Sequence, residues 1–144
     1  IHLRGPWELT RPNSGGEELT GASARESVAM PADWRTVFGD VSGTAKFRRK
    51  FHRPTNLDPD EVVAVVFTEV RGHGEVLLNG ELLGRFDSAG GAVTFEITRL
   101  LKPFNELAVT VTFDPAEEPG FPGGLYGVTA LEIHSEFAES TATE

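Results

Sequence analysis

The chain contains no cysteine, which excludes a disulfide framework, an iron–sulfur centre, a thiolate zinc site and a cysteine nucleophile. No apolar run approaches the roughly 18 residues that a membrane-spanning helix needs. Cations are scarce in one half only: residues 73–144 hold three Lys+Arg against twelve Asp+Glu, whereas residues 1–72 hold ten of each. The net charge over 144 residues is −9. Such a field repels phosphate backbones and anionic lipid, so neither nucleic acid nor a membrane is expected as a partner.

Signatures of chemistry are equally thin. The four histidines, His2, His52, His73 and His134, show no i,i+4 metal spacing, and HExxH is absent. Gly72-His73-Gly74 starts like a dinucleotide fingerprint, but no third glycine and no helix follow, so a strand-to-strand bend is expected there. Neither a metal nor a cofactor is therefore expected. Ser88 lacks the leading glycine of a nucleophile elbow. The carboxylates Glu117-Glu118 and Asp58/Asp60/Glu61 read as solvated loops. No catalytic constellation emerges, and the expectation is a non-enzymatic domain.

What the chain does have is strand pattern. Leu107, Val109, Val111 and Phe113 alternate with Ala108, Thr110 and Thr112. Glu61–Val70 is more uniformly apolar, as suits a strand covered on both faces. Ala45–Arg53 puts Phe47 and Phe51 on one face, and its basic cluster Lys46, Arg48, Arg49, Lys50 and Arg53 reads as a solvated strand face. Asn79-Gly80, between Glu75–Leu78 and Glu81–Arg85, signals a type I′ hairpin. Gly91–Ile97 and Val128–His134 add strands, and Pro6–Thr10 and Ser27–Met30 add weaker ones. The helical signal is confined to Thr98–Lys102, with Thr98 as cap and Pro103 as stop. Short strands between Gly/Pro/Asp turns predict an all-β, antiparallel β-sandwich of the jelly-roll kind. One domain over residues 1–135 is expected, with 136–144 as a flexible tail or linker.

The alternation also predicts a core: Phe47, Phe51, Val65, Phe67, Val76, Leu78, Phe95, Ile97, Leu107, Val109, Val111, Leu131 and Ile133. Arg49 falls on the same face as Phe47 and Phe51, and Glu69 falls in line with Val65 and Phe67. A buried guanidinium needs a partner, so an Arg49–Glu69 pair is expected. The long loops Asn13–Arg25 and Asp114–Gly124 should gather at the ends of the sandwich, where ligands are usually met. Trp7 reads as an edge-strand residue beneath the core. Trp34, after Pro31-Ala32-Asp33, reads as a packed ring or as a partly open one. Tyr126 follows Gly123-Gly124, which lets the backbone bend closely against a neighbour.

Several runs together resemble a known family. They are Val76-Leu77-Leu78-Asn79-Gly80-Glu81-Leu82-Leu83-Gly84, Phe95-Glu96-Ile97-Thr98-Arg99-Leu100-Leu101-Lys102 and Asn105-Glu106-Leu107-Ala108-Val109. Pro31-Ala32-Asp33-Trp34, Phe47-Arg48-Arg49-Lys50-Phe51 and Gly123-Gly124-Leu125-Tyr126-Gly127 join them in order. From Pro6 to His134 the chain resembles the N-terminal sugar-binding domain of family 2 glycoside hydrolases, the β-galactosidase and β-glucuronidase relatives. The resemblance implies a galactose-binding-domain-like jelly roll. It also implies an accessory role, because that family's chemistry belongs to a separate (β/α)₈ barrel. The expected function is non-catalytic carbohydrate binding. The alternative is a structural module docking on a catalytic or other protein domain. Carbohydrate and such a domain are thus the two candidate partners. For sugar binding, Trp34, Arg71, His73 and Tyr126 are the candidate residues, since aromatic faces stack on sugars while Arg and His donate to hydroxyls.

Overall fold

Nine strands form among the described residues, most of them where the sequence predicts them, though the second starts at Arg25 instead of Ser27 and the fifth at Arg71 instead of Glu75. The computed structural model describes residues 1–4, 7–10, 25–30 and 32–135. Within these lie β1 (Trp7–Thr10), β2 (Arg25–Val28), helix α1 (Trp34–Phe38), β3 (Gly43–His52) and β4 (Glu61–Phe67). They are followed by β5 (Arg71–Leu78), β6 (Glu81–Ala89), β7 (Val93–Glu96), β8 (Phe104–Phe113) and β9 (Thr129–Ser135). One sheet has the order β2-β1-β3-β8-β5-β6 and the other β7-β4-β9. All these pairings are antiparallel. The result is an all-β, two-sheet sandwich of the jelly-roll kind, the expected class. Residues 1–3 lie along the free edge of β9: Leu3 N–H donates to Thr129 O at 2.8 Å, and Leu131 N–H to Ile1 O at 2.7 Å.

Local chemistry explains the main turns. Asn79 and Gly80 both have positive φ, 52° and 85°, as a type I′ hairpin between β5 and β6 requires. Asn79 does a second job. Its Oδ1 accepts from Glu106 N–H at 2.9 Å, and its Nδ2 donates to Asn105 Oδ1 at 3.1 Å. Asn105 is itself buried, and its amide bridges the backbone N–H and C=O of Lys102. The turn and the start of β8 are thus fastened by two side-chain amides, which leaves the buried polar group satisfied.

The core contains the expected residues with two exceptions. Phe95 is only partly buried, against the core, and Ile133 is 36% exposed. Ile133 sits near the end of β9, the outer strand of its sheet, opposite the fully buried Val63 of β4. β4 is buried from Val63 through Phe67 on both faces, as its uniform hydrophobicity predicts. Trp7 is fully buried, with its indole N–H donating to Leu3 O at 2.8 Å; β2 lies outside β1 at the sheet edge. Lys46 and Arg48 are half-buried and Lys50 exposed. They stand across from Thr10, Glu8 and Glu106, the solvated strand face expected.

Other expectations are corrected. Arg49 does not pair with Glu69. Its Nε donates to Arg4 O at 2.8 Å and its Nη1 to Lys50 O, while Glu69 lies exposed beyond the end of β4. Two backbone carbonyls thus engage the guanidinium, and it makes no ion pair among the described residues. Thr98 does not cap its turn, whose N-cap is Ile97. Its hydroxyl accepts from Val63 N–H at 2.8 Å, tying the turn to β4. Gly72-His73-Gly74 is no bend but lies inside β5. A Cβ on Gly74 would fall 1.7 Å from Thr110 O, so glycine there permits close strand approach. Helix α1 was not foreseen; Asp33 caps it by accepting from Arg35 N–H at 3.4 Å. The Asn13–Arg25 loop, short of Arg25, and the tail at 136–144 lie outside the described residues.

Phe67 is 2% exposed at the centre of this packing. Phe67→Ala should lower unfolding stability by about 3–5 kcal/mol, read as a fall in the urea midpoint at constant m-value; an unchanged midpoint would contradict the register.

Candidate functional site

The loop after β8 and the start of β5 build one end of the sandwich. β8 ends at Phe113, and Asp114 caps a 3₁₀ turn, accepting from Ala116 N–H at 3.0 Å. The chain then runs to Gly123 and Gly124, where side chains would not fit. A Cβ at Gly123 would lie 2.3 Å from the Phe113 ring, and one at Gly124 would lie 3.3 Å from the Trp34 ring. Gly124 also has φ of 71°, a conformation glycine adopts readily. The bare backbone therefore lies flat on two aromatic rings. It is pinned there by Trp34 N–H to Gly123 O (2.9 Å) and by Gly123 N–H to Asp33 Oδ1 (3.0 Å). Gly124 in turn exchanges two backbone hydrogen bonds with Arg71, at 2.9 and 3.1 Å.

Arg35 on α1 holds the rest of that loop. Its Nη2 donates to Pro115 O at 3.0 Å and to Glu118 O at 2.6 Å, and its Nε donates to Phe121 O at 3.2 Å. Nη1 meets Asp40 Oδ1 at 3.1 Å. One guanidinium thus organises three carbonyls along the loop, a geometry its rigid fork suits. The loop so placed covers Arg71. Glu118 Oε1 is 3.2 Å from Arg71 Nη1, and the Phe121 ring centroid is 4.5 Å from the Arg71 guanidinium carbon, a cation–π distance. Arg71's side chain is only 13% exposed, and its Nε is buried without a partner among the described residues.

Beside Arg71 opens a cleft of about 330 Å³. One wall is a cross-strand row: Thr44 opposes Thr112, Thr112 opposes His73, and His73 opposes Asp87. The Thr44 and Thr112 hydroxyls are 2.7 Å apart. His73 and Asp87 both project exposed side chains, at the close spacing of cross-strand neighbours. Ser88, Asp114, Glu117 and Glu118 complete the polar lining. Among the described residues, no group of three or more His, Asp or Glu is arranged to hold a metal ion, and no helix is long and apolar enough to cross a membrane.

The four residues expected at a sugar site fare differently. Arg71 and His73 line this cleft. Tyr126 is half-buried next to them: a Cβ on Gly90 would be 3.0 Å from both Tyr126 Oη and Arg71 Nη2. Tyr126 is not one of the cleft's walls. Trp34 is withheld altogether. It is 1% exposed, stacked edge-on against Phe38 (4.8 Å) and Phe113 (5.6 Å), with its indole N–H donating to Val41 O. Its packed reading holds, and it supports the site from beneath. Asp87, Phe121 and Arg35 escaped the sequence reading, and Glu118, expected there as a solvated loop carboxylate, is instead half-buried and paired with Arg71. Only the exposed phenylalanine in a Gly/Pro loop left a signal there.

No family profile matches the chain, and no curated protein matches it. Solved structures do. An FMN-binding β-glucuronidase from Faecalibacterium prausnitzii L2-6 is 26% identical with a TM-score of 0.71, over 92% of this chain and 22% of that one. A β-glucuronidase from an uncultured Clostridium species is 18% identical (TM-score 0.73), over 94% of this chain and 28% of that one. A β-glycosidase from Bacteroides vulgatus is 19% identical (TM-score 0.72), over 94% and 20% respectively. The chain therefore spans between a fifth and a third of each of these structures, and its fold is shared with one portion of several multidomain glycosidases.

Two results are expected from this geometry. Arg35→Met should speed hydrogen exchange of the amides at 115–121 and cost about 1–3 kcal/mol; unchanged exchange there would show that the loop is held by other contacts. Because Trp7 and Trp34 are both buried, tryptophan emission should be blue-shifted and nearly insensitive to iodide. Strong quenching would place one of the rings in solvent.

Proposed function

We propose that this chain is a non-catalytic carbohydrate-binding module, acting as an accessory domain of a glycoside hydrolase. The observation that supports this reading best is the open cleft lined by the cross-strand neighbours His73 and Asp87 beside Arg71. Vicinal sugar hydroxyls are donors and acceptors at once, and a carboxylate with a neighbouring imidazole offers a matching set. Phe121, 51% exposed at the rim, supplies an apolar ring face in the role first expected of Trp34. The similarity to part of several glycosidases fits an accessory module, by analogy of fold.

The second reading is a structural module that packs on the catalytic domain of a glycosidase without binding sugar. It is favoured by Phe104, 72% exposed at the opposite end of the sandwich and stacked on His52 at 4.9 Å. Exposed rings of this kind often mark contact surfaces. Titrating the full chain with mono- and oligosaccharides at millimolar concentration, followed by amide NMR shifts, separates the two. Shifts at residues 71–73, 87–88 and 117–121, lost in Asp87→Ala, are expected. Their absence with every sugar would leave the packing module.

A further inference from the structure

We infer that the cleft selects uncharged sugars and rejects uronic acids; this rests on the carbohydrate-binding reading above. Its electrostatics are lopsided. Arg71 is the one Lys or Arg in its lining, and its charge is already paired, although the buried Nε has no partner among the described residues. Nη1 faces Glu118 at 3.2 Å, Phe121 covers the guanidinium face at 4.5 Å, and the side chain is 13% exposed. A ligand carboxylate approaching Arg71 would have to displace Glu118, which the Arg35 clamp on the Glu118 carbonyl holds in place.

The other charged groups in the lining are carboxylates: Asp87, Asp114 and Glu117. Among the described residues, neither Asp87 nor Glu117 takes part in an ion pair. For a neutral sugar these oxygens are strong acceptors of hydroxyl donors. For a uronate the same oxygens are like charges at close range. Two of them within several ångströms weaken binding by about tenfold even at near-water screening. The inference runs against the β-glucuronidase names of the similar structures, because the preference is set by this chain's own side chains.

The test titrates the full chain at pH 7 and low salt with methyl β-galactoside, methyl β-glucoside and methyl β-glucuronide, following the amides of residues 72–74 and 87–88. The neutral glycosides should bind about tenfold more tightly than the glucuronide, and the gap should narrow as salt screens the carboxylates. Glu118→Gln, which frees the Arg71 charge, should raise the ratio of glucuronide to neutral affinity several-fold. Glucuronide binding equal to or tighter than the neutral sugars at these residues would overturn the selectivity while leaving sugar binding intact. No shift with any glycoside would overturn the carbohydrate reading itself, and the selectivity with it.

Discussion

The cleft end of this sandwich depends on two missing side chains. Gly123 lets bare backbone lie against the Phe113 ring closer than any Cβ would permit, and Gly124, at positive φ, packs tightly against Trp34. That contact brings the segment within hydrogen-bonding range of Arg71 in the first strand-turn of β5. The rest follows from it. The preceding loop is drawn over the end of the sandwich, Arg35 reaches its carbonyls, and Glu118 and Phe121 arrive on the Arg71 guanidinium. Trp34 therefore serves the site as its foundation. An indole wedged between Phe38 and Phe113 is rigid, and close-packed surroundings transmit that rigidity to the backbone above it.

Most of the architecture was legible because strand periodicity is a local signal. Asn79-Gly80 specified its turn through backbone conformation alone, and the alternation in β8 fixed which side chains point inward. Two of the errors share one cause. Ile133 and Arg49 both lie on the inner face by alternation, yet a face is not uniformly buried: it opens toward sheet ends and edges, which periodicity does not locate. Arg49 found backbone carbonyls there, a solution that pairing charges by sequence cannot anticipate. Helix α1 is five residues long, too short to show a helical period.

The site was less legible than the fold. Arg71 and His73 could be singled out because Arg and His donate to hydroxyls and stand beside glycines, although those glycines were expected to mark a bend. Asp87 became their neighbour only through the pairing of β5 with β6. Glu118 and Phe121 sit about fifty residues from Arg71 in the chain, and Arg35 some eighty from the carbonyls it binds. Such contacts are set by strand order, which spacing along a sequence does not encode. The preference for Trp34 as a stacking platform failed for a related reason. A tryptophan flanked by polar loop residues looks the same in sequence whether its ring faces solvent or a phenylalanine.

If the cleft binds sugar as proposed, its affinity must come chiefly from hydrogen bonds that compete with water, because Trp34 is taken into the core and the walls are polar. Each such bond contributes only about 0.5–1.5 kcal/mol net, and a monosaccharide engages few of them. A module of this kind binds weakly alone. Its effect grows when it is tethered to a second site on the same polysaccharide, where a short linker supplies an effective concentration near the millimolar range. Weak, hydroxyl-directed recognition on a rigid sandwich is thus the form of binding that suits an accessory domain better than a free-standing lectin. It also explains why the carboxylates matter: where few contacts favour the ligand, a single like-charge repulsion is enough to decide which sugars are excluded.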